Sequence, residues 1–285
     1  MWKRAWCVAA MCLACAFFGA AGCASSLNQG ALSEAEAQAL DHFPHEVFQG
    51  VGQRYVDERG RVDYLALQAA RGDLDFYTSA LASVGPRTRP KLFPTPEDAL
   101  AYYLNGYNAL VMLNVLYRYP DITSLKEVVT DFFYFTQVQI DGMATDLYNA
   151  QHGLIVPFAR THYVGKKEGH KLGRLHMALN RATRSSHELP REAFWPQDVE
   201  VQLEREARAF VADARNVKPD AAKKQVVLSD ILKQGAGDFL DEEGKPEPVL
   251  AWINRYREAD AKLDPSWEVV YEPHDWSLND QALAR

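Results

Sequence analysis

The stretch from Thr95 to Pro120, TPEDALAYYLNGYNALVMLNVLYRYP, decides how the rest of the chain is read. Thr95 is a helix N-cap, Pro96 suits the first helical position, and Glu97 and Asp98 put acid in the first turn. Asp98 stands three residues after Thr95, an approximate capping box. Pro120 closes the helix, because it lacks an N–H and disfavours α geometry at Tyr119. Between these ends the sequence is apolar nearly all round, so the helix is expected to be buried on most faces. Asn105, Asn108 and Asn114 lie inside it. A buried amide without partners costs about 1–3 kcal/mol, so something must satisfy each one. Asn105 and Asn108 share a helix face with Tyr107 between them. Such a pair either ties down neighbouring loops or orients a ligand.

Upstream, the chain opens like an export signal. Lys3 and Arg4 precede an apolar run to about Phe18, then Ala20-Ala21-Gly22 and Cys23. This order reads as a signal peptide over residues 1–22, too short in its apolar run for a spanning helix. Three small residues directly before a cysteine resemble a bacterial lipobox, with Ala20 where Leu is usual. The expected mature chain begins at a lipidated Cys23, with a tether over 23–41 and one globular domain over 42–285. Ala24, which is not Asp, points by resemblance to Gram-negative lipoprotein sorting toward the outer membrane, facing the periplasm. The membrane, reached through Cys23, is thus an expected partner.

The other three of the four cysteines, Cys7, Cys12 and Cys15, lie within the signal. The mature domain therefore has no internal disulfide, cysteine nucleophile or thiolate metal site. Cleavage leaves 29 of the 31 basic residues against all 38 acidic ones, a net charge of −9. An acidic chain without a basic tract is a poor partner for nucleic acid. No histidine pair has metal-ligand spacing on a helix, and no cofactor motif is present.

Around the central stretch, helical spacing recurs at Phe43–Tyr55, Leu65–Ala70 and Leu74–Val84. Phe132–Ile140 alternates aromatic and β-branched residues, and Asp141-Gly142 is a hairpin turn, so a strand is expected there. Thr145 or Asp146 caps a helix to about Phe158. Gly165–Gly173 reads as a loop. Val199–Val211 is amphipathic, and Gln225–Leu228 and Trp267–Tyr271 read as strands. The expected class is α+β: a mainly helical single domain with a small mixed or antiparallel sheet around the buried central helix.

The polar groups that could carry chemistry are scattered: His152 in NAQHGLI, His176 in LHMALN, Ser186 beside His187, and Asp275-Trp276 in the closing HDWSLN. Taken in order, LNGYNALVMLNVLYRYP, ITSLKEV, YNAQHGLI, LHMALN and HDWSLN resemble the DUF547 family, a bacterial and plant domain of unknown function. The resemblance runs from Val62-Asp63-Tyr64 to Asn279. It matches Asn105, Tyr107 and Asn108 to an N-x-Y-N core, His152 to the histidine of an acidic-His pair, His176 to H-x-A-L, and Asp275-Trp276 to D-W-S-L-N.

There are departures too. Gln151 replaces the usual Glu, and Arg181 and Ser186-His187 stand where relatives often carry cysteines. A thiol mechanism is therefore excluded here. What the resemblance implies is a domain of unknown biochemical role that binds a ligand or partner through Asn105, Tyr107, Asn108 and Trp276. The alternative is a hydrolase or acyl transferase using His152, His176, Asp275 and Ser186.

Overall fold

A computed structural model of the protein describes residues 26–30 and 32–283. Residues 1–22, expected to be a signal, and Cys23 lie outside the described residues, as does the start of the expected tether.

The central helix forms as its ends dictate. α5 (Pro96–Leu116) follows α1 (Glu34–Ala39), α2 (His45–Tyr55), α3 (Tyr64–Ala69) and α4 (Gly72–Ser83). The Thr95 side chain accepts from Asp98 N–H at 3.2 Å, and the Asp98 carboxylate accepts from Thr95 N–H at 2.9 Å. Every residue from Ala99 to Leu116 is buried. Gly106 lets α4 approach: a methyl group there would stand 2.5 Å from Leu81 Cδ1. Among the described residues no helix is long and apolar enough to cross a membrane.

After α5 the chain departs from the alternation of Phe132–Ile140. Asp131–Phe135 is a wide π-helical turn, and only Val138–Ile140 (β1) is strand. It pairs antiparallel with β2 (Met143–Thr145), as the Asp-Gly turn requires. Asp141 and Gly142 both take positive φ there, +53° and +72°, the geometry of a type I′ turn. Asp146, rather than Thr145, caps the next helix by accepting from Asn149 N–H. That helix continues past Phe158 as α6 (Leu147–Asn149), a π turn, α7 (Val156–Phe158) and a second π turn to Tyr163. Gly169–Arg174, expected in a loop, is a 3-10 helix leading into α8 (Leu175–Ala178).

The last third carries α9 (Val199–Ala212), α10 (Asp230–Gln234), α11 (Val249–Tyr256) and a mixed sheet. In that sheet β3 (Val217–Asp220) pairs antiparallel with β4 (Gln225–Leu228), and β4 pairs parallel with β5 (Glu268–Tyr271). β3 escaped the sequence because Lys218-Pro219-Asp220 lacks strand character. Pro219 is tolerated because β3 is an edge strand. Among the described residues the architecture is α+β, helix-rich, with two small sheets. The main apolar core surrounds α5, and a second cluster lies under the mixed sheet around Trp252 and Phe239. α9 joins them: Val199 and Leu203 belong to the first, and Ala207, Phe210 and Val211 to the second.

Candidate functional site

The amides of α5 are each engaged by backbone. Asn105 Nδ2 donates to Phe194 O at 2.8 Å, and its Oδ1 accepts from Phe194 N–H at 2.8 Å. Asn108 does the same for the next segment, donating to Ala178 O at 2.9 Å and accepting from Asn180 N–H at 2.9 Å. Asn114 donates to Phe132 O at 2.9 Å, which holds the π turn in place. Both ends of Asn105 and Asn108 are thereby used in holding loops. Between them the Tyr107 hydroxyl is buried with no hydrogen-bond partner. Burial raises its pKa, and the neighbouring Arg181 guanidinium opposes that rise.

The segment that Asn108 holds, residues 178–187, is flanked by the closing tail. Asn279 N–H donates to Ala182 O at 3.0 Å and Arg184 N–H to Ser277 O at 2.9 Å, while Leu125 N–H on the tail's other side donates to Trp276 O at 2.9 Å. The motif segments thus lie side by side, yet their polar side chains fall into two separate groups.

The first group centres on His176, which is buried. Its Nε2 lies 2.9 Å from Asp238 Oδ2, and Asp238 Oδ1 accepts from Arg160 at 2.8 Å. The Gln151 amide Nε2 approaches His176 Nδ1 at 3.4 Å, and Gln151 Oε1 accepts from Arg181 Nη2 at 3.5 Å. Arg181 also donates to Gln234 Oε1. Burial works against ionisation of Asp238, but the hydrogen bond and charge of His176, with Arg160, hold its pKa below the usual carboxylate value. Gly235 packs on the imidazole: a Cβ there would stand 2.9 Å from His176 Cδ2. His152 projects outward nearby, its ring packed at a tilt of 42° against Tyr148 with centroids 4.5 Å apart. Partial burial, then the positive neighbours His176 and Arg181, lower its pKa. Asp238 and Gln234 were not singled out from the sequence. Their only local signal was the GAGD break after α10.

The second group lies at a cleft of about 420 Å³ whose wall includes Thr183, Ser186, Asp230 and Asp275, with His274 behind it. Here Ser186 Oγ lies 2.8 Å from Thr183 Oγ1, and Thr183 Oγ1 lies 2.9 Å from His274 Nε2. Among the described residues no histidine hydrogen-bonds to the Ser186 hydroxyl. Arg181 N–H donates to Ser186 Oγ at 3.2 Å. His274 Nδ1 is buried without a hydrogen-bond partner, 3.8 Å from Asp230 Oδ2. Burial first, then the Arg181 charge, push the His274 pKa down to about 4, against the opposing pull of Asp230 and Asp275. Trp276 packs against the His274 ring at a tilt of 45°, with centroids 4.2 Å apart. Asp275 lies on the cleft wall, not beside His176, and its carboxylate accepts from Ser277 N–H at 2.9 Å. His187 turns to Glu206 at 2.6 Å.

The cleft wall mixes charges. Lys218 pairs with Glu272 at 2.6 Å and Arg61 with Asp57 at 2.7 Å, while the exposed Arg59 guanidinium has no ion pair among the described residues. Gly60 shapes this wall. It has a φ of +66°, and a Cβ there would lie 2.3 Å from Leu189 N. Arg181 reaches both groups, its guanidinium the first and its N–H the second, and Gln234 links them as well, accepting from Arg181 and donating to Asp230 Oδ2 at 2.6 Å. Among the described residues no three His, Cys, Asp or Glu side chains come together to hold a metal ion.

Comparison with known families matches residues 93–211 to the model of the family described as protein of unknown function, DUF547. The chain resembles that family from the loop before α5 almost to the end of α9. The matched span includes Asn105, Tyr107, Asn108, His152, His176 and Ser186. Asp238, His274 and the HDWSLN tail lie beyond it. No curated protein and no solved structure matches the chain.

Proposed function

We propose that this DUF547-like chain is an envelope lipoprotein, anchored by a lipid on Cys23, whose domain binds a small polar ligand of mixed charge in the cleft beside Ser186. The observation that carries the reading is the cleft itself. It has room for a ligand of metabolite size, and its wall offers cations and carboxylates together. Arg59 is available to a carboxylate or other anion, and the hydroxyls of Ser185, Ser186 and Thr183 supply hydrogen bonds. Paired charges such as Lys218–Glu272 can re-pair with a ligand that carries both signs.

The binding test is a thermal-shift and calorimetric screen of amino acids, dipeptides and phosphorylated sugars against the folded domain. Binding by zwitterions that weakens on Arg59→Ala is expected. Silence across the panel, or binding indifferent to Arg59, overturns the cleft as the site. The anchor has its own test. Labelled palmitate is expected to enter the full-length chain in a Gram-negative host and to be lost on Cys23→Ser, with the protein sedimenting in the outer-membrane fraction. A protein that stays unlabelled and soluble in the periplasm refutes the anchoring.

A further inference from the structure

We infer that the cleft performs acyl transfer onto Ser186 Oγ, with Thr183 passing the serine proton to His274; this rests on the reading of the cleft as the ligand site. The geometry that points there is the unbroken chain Ser186 Oγ, Thr183 Oγ1, His274 Nε2, with steps of 2.8 and 2.9 Å. Both lie within hydrogen-bond reach for proton transfer.

The directions of the bonds are consistent. The backbone N–H of Arg181 donates to Ser186 Oγ at 3.2 Å, so that oxygen already accepts one bond and its own proton is free to point at Thr183. Thr183 can then donate onward to His274 Nε2, which requires the imidazole proton on Nδ1. That Nδ1 faces Asp230, whose Oδ2 stands 3.8 Å away. A buried ring nitrogen with no partner costs about 1–3 kcal/mol, a cost that a purely structural histidine ordinarily avoids. The Asp230 carboxylate, whose Oδ2 accepts from Gln234 Nε2 at 2.6 Å, is the negative group that faces this nitrogen. The lowered pKa of His274 agrees with an unprotonated acceptor.

The step balances within the chain and its substrate. Ser186 Oγ attacks the carbonyl carbon of an ester or amide and an O–C bond forms. The serine proton moves to Thr183 as the threonine proton moves to His274. The C–O or C–N bond of the substrate then breaks, and the leaving group takes the proton back from His274. Water or a second nucleophile repeats the exchange to release the acyl group. The Arg181 N–H stabilises the developing alkoxide on Ser186. The inert partner of the cleft is His187, the sequence neighbour of Ser186, because its Nε2 is held by Glu206 at 2.6 Å.

The experiment is active-site labelling of the folded domain with a fluorophosphonate, read by intact mass. Ser186 attacks phosphorus, fluoride leaves, and the proton goes to His274 through Thr183. One adduct on Ser186 is expected, absent in Ser186→Ala and retained in the exposed-serine control Ser266→Ala. Thr183→Val and His274→Gln should each slow labelling by about a hundredfold or more, while Thr183→Ser restores most of the rate. Melting temperatures of all variants separate loss of the relay from loss of the fold. No adduct on the folded wild type, or full-rate labelling in Thr183→Val, overturns the inference. Absence of an adduct alongside zwitterion binding sinks the chemistry and leaves the cleft reading intact, whereas absence of both sinks the two together.

Discussion

Asn108 holds Asn180 by its backbone: the Asn108 Oδ1 accepts from the Asn180 N–H at 2.9 Å while its Nδ2 donates to Ala178 O at 2.9 Å. One side chain of the central helix therefore fixes the segment that runs from His176 to Ser186. Asn108→Ala strands a buried N–H and a buried carbonyl, and about 2–4 kcal/mol of stability should be lost in urea unfolding. Asn108→Asp keeps the acceptor but sets a buried carboxylate against the Ala178 carbonyl. Relative to wild type, that variant should regain stability as the pH is lowered toward 5, where protonation restores a donor. A deficit from wild type that is the same at pH 5 and pH 8 would contradict this role.

Gly106 is the helix position where alanine should hurt. In an exposed helix the change from glycine gains about 1 kcal/mol. Here the new methyl would meet Leu81 Cδ1 at 2.5 Å, and Leu81 is fully buried. Gly106→Ala should cost about 1–3 kcal/mol. Leu81→Ala should be destabilising alone, yet the double variant should be more stable than the two costs added together. Strict additivity in the cycle would show that the helices simply move apart.

Two buried histidines make the protein acid-sensitive before its carboxylates do. His45 accepts at Nδ1 from Asn105 at 3.0 Å, and burial, with the His42 charge, lowers its pKa to about 3. His274 is lowered to about 4. The unfolded chain binds both protons near the ordinary value of about 6.5, and the folded chain does not. Unfolded protein thus holds more protons between about pH 6.5 and 4, so stability is complete above that window and falls as the pH drops through it. Each proton contributes a slope of up to about 1.4 kcal/mol per pH unit. His274→Gln should remove the part of the slope that His274 carries between pH 6 and 4.5, up to about 1.4 kcal/mol per pH unit, in denaturant titrations. An unchanged slope would mean that His274 is protonated in the folded protein.

The features that a sequence displays are those governed by neighbours along the chain. The Thr95–Asp98 cap, the Asp141-Gly142 turn and the two-sided α9 all follow local rules, and all three form. What stayed hidden depends on distant contacts. FFYFTQVQI alternates like a strand, but Asn114 captures the Phe132 carbonyl and winds its first half into a π turn. The partners of the site histidines are also remote. His176 meets Asp238 across 62 residues, and Thr183 meets His274 across 91. Nothing in the local sequence distinguishes Asp238 from other turn aspartates, or indicates that Asp275 faces the cleft rather than His176. Asn105 and Asn108 were legible as residues that must bond something, but not as clamps on Phe194 and Asn180.

Gln151 faces His176 from the side opposite Asp238. The amide N–H of Gln151 points at Nδ1 at 3.4 Å, which leaves Nε2 as the donor to Asp238 at 2.9 Å. Gln151→Glu replaces that N–H by an acceptor of the same shape. An imidazole held between two carboxylates must carry a proton on each nitrogen to bond both, and the new charge also strengthens the contact with Arg181. Nitrogen NMR of the ring at pH 7 should show both nitrogens protonated in Gln151→Glu. Ser186 belongs to the other group, so its labelling should change little, unless the new charge draws Arg181 and the N–H that it gives to Ser186 out of place. Arg181→Lys separates these outcomes: it keeps the backbone N–H and a positive charge but loses the fork that reaches Gln151 and Gln234. If labelling in the Gln151→Glu background falls with arginine and recovers with lysine, Arg181 couples the two groups. If labelling ignores position 151 in both backgrounds, the two groups are independent and Arg181 is only their shared neighbour.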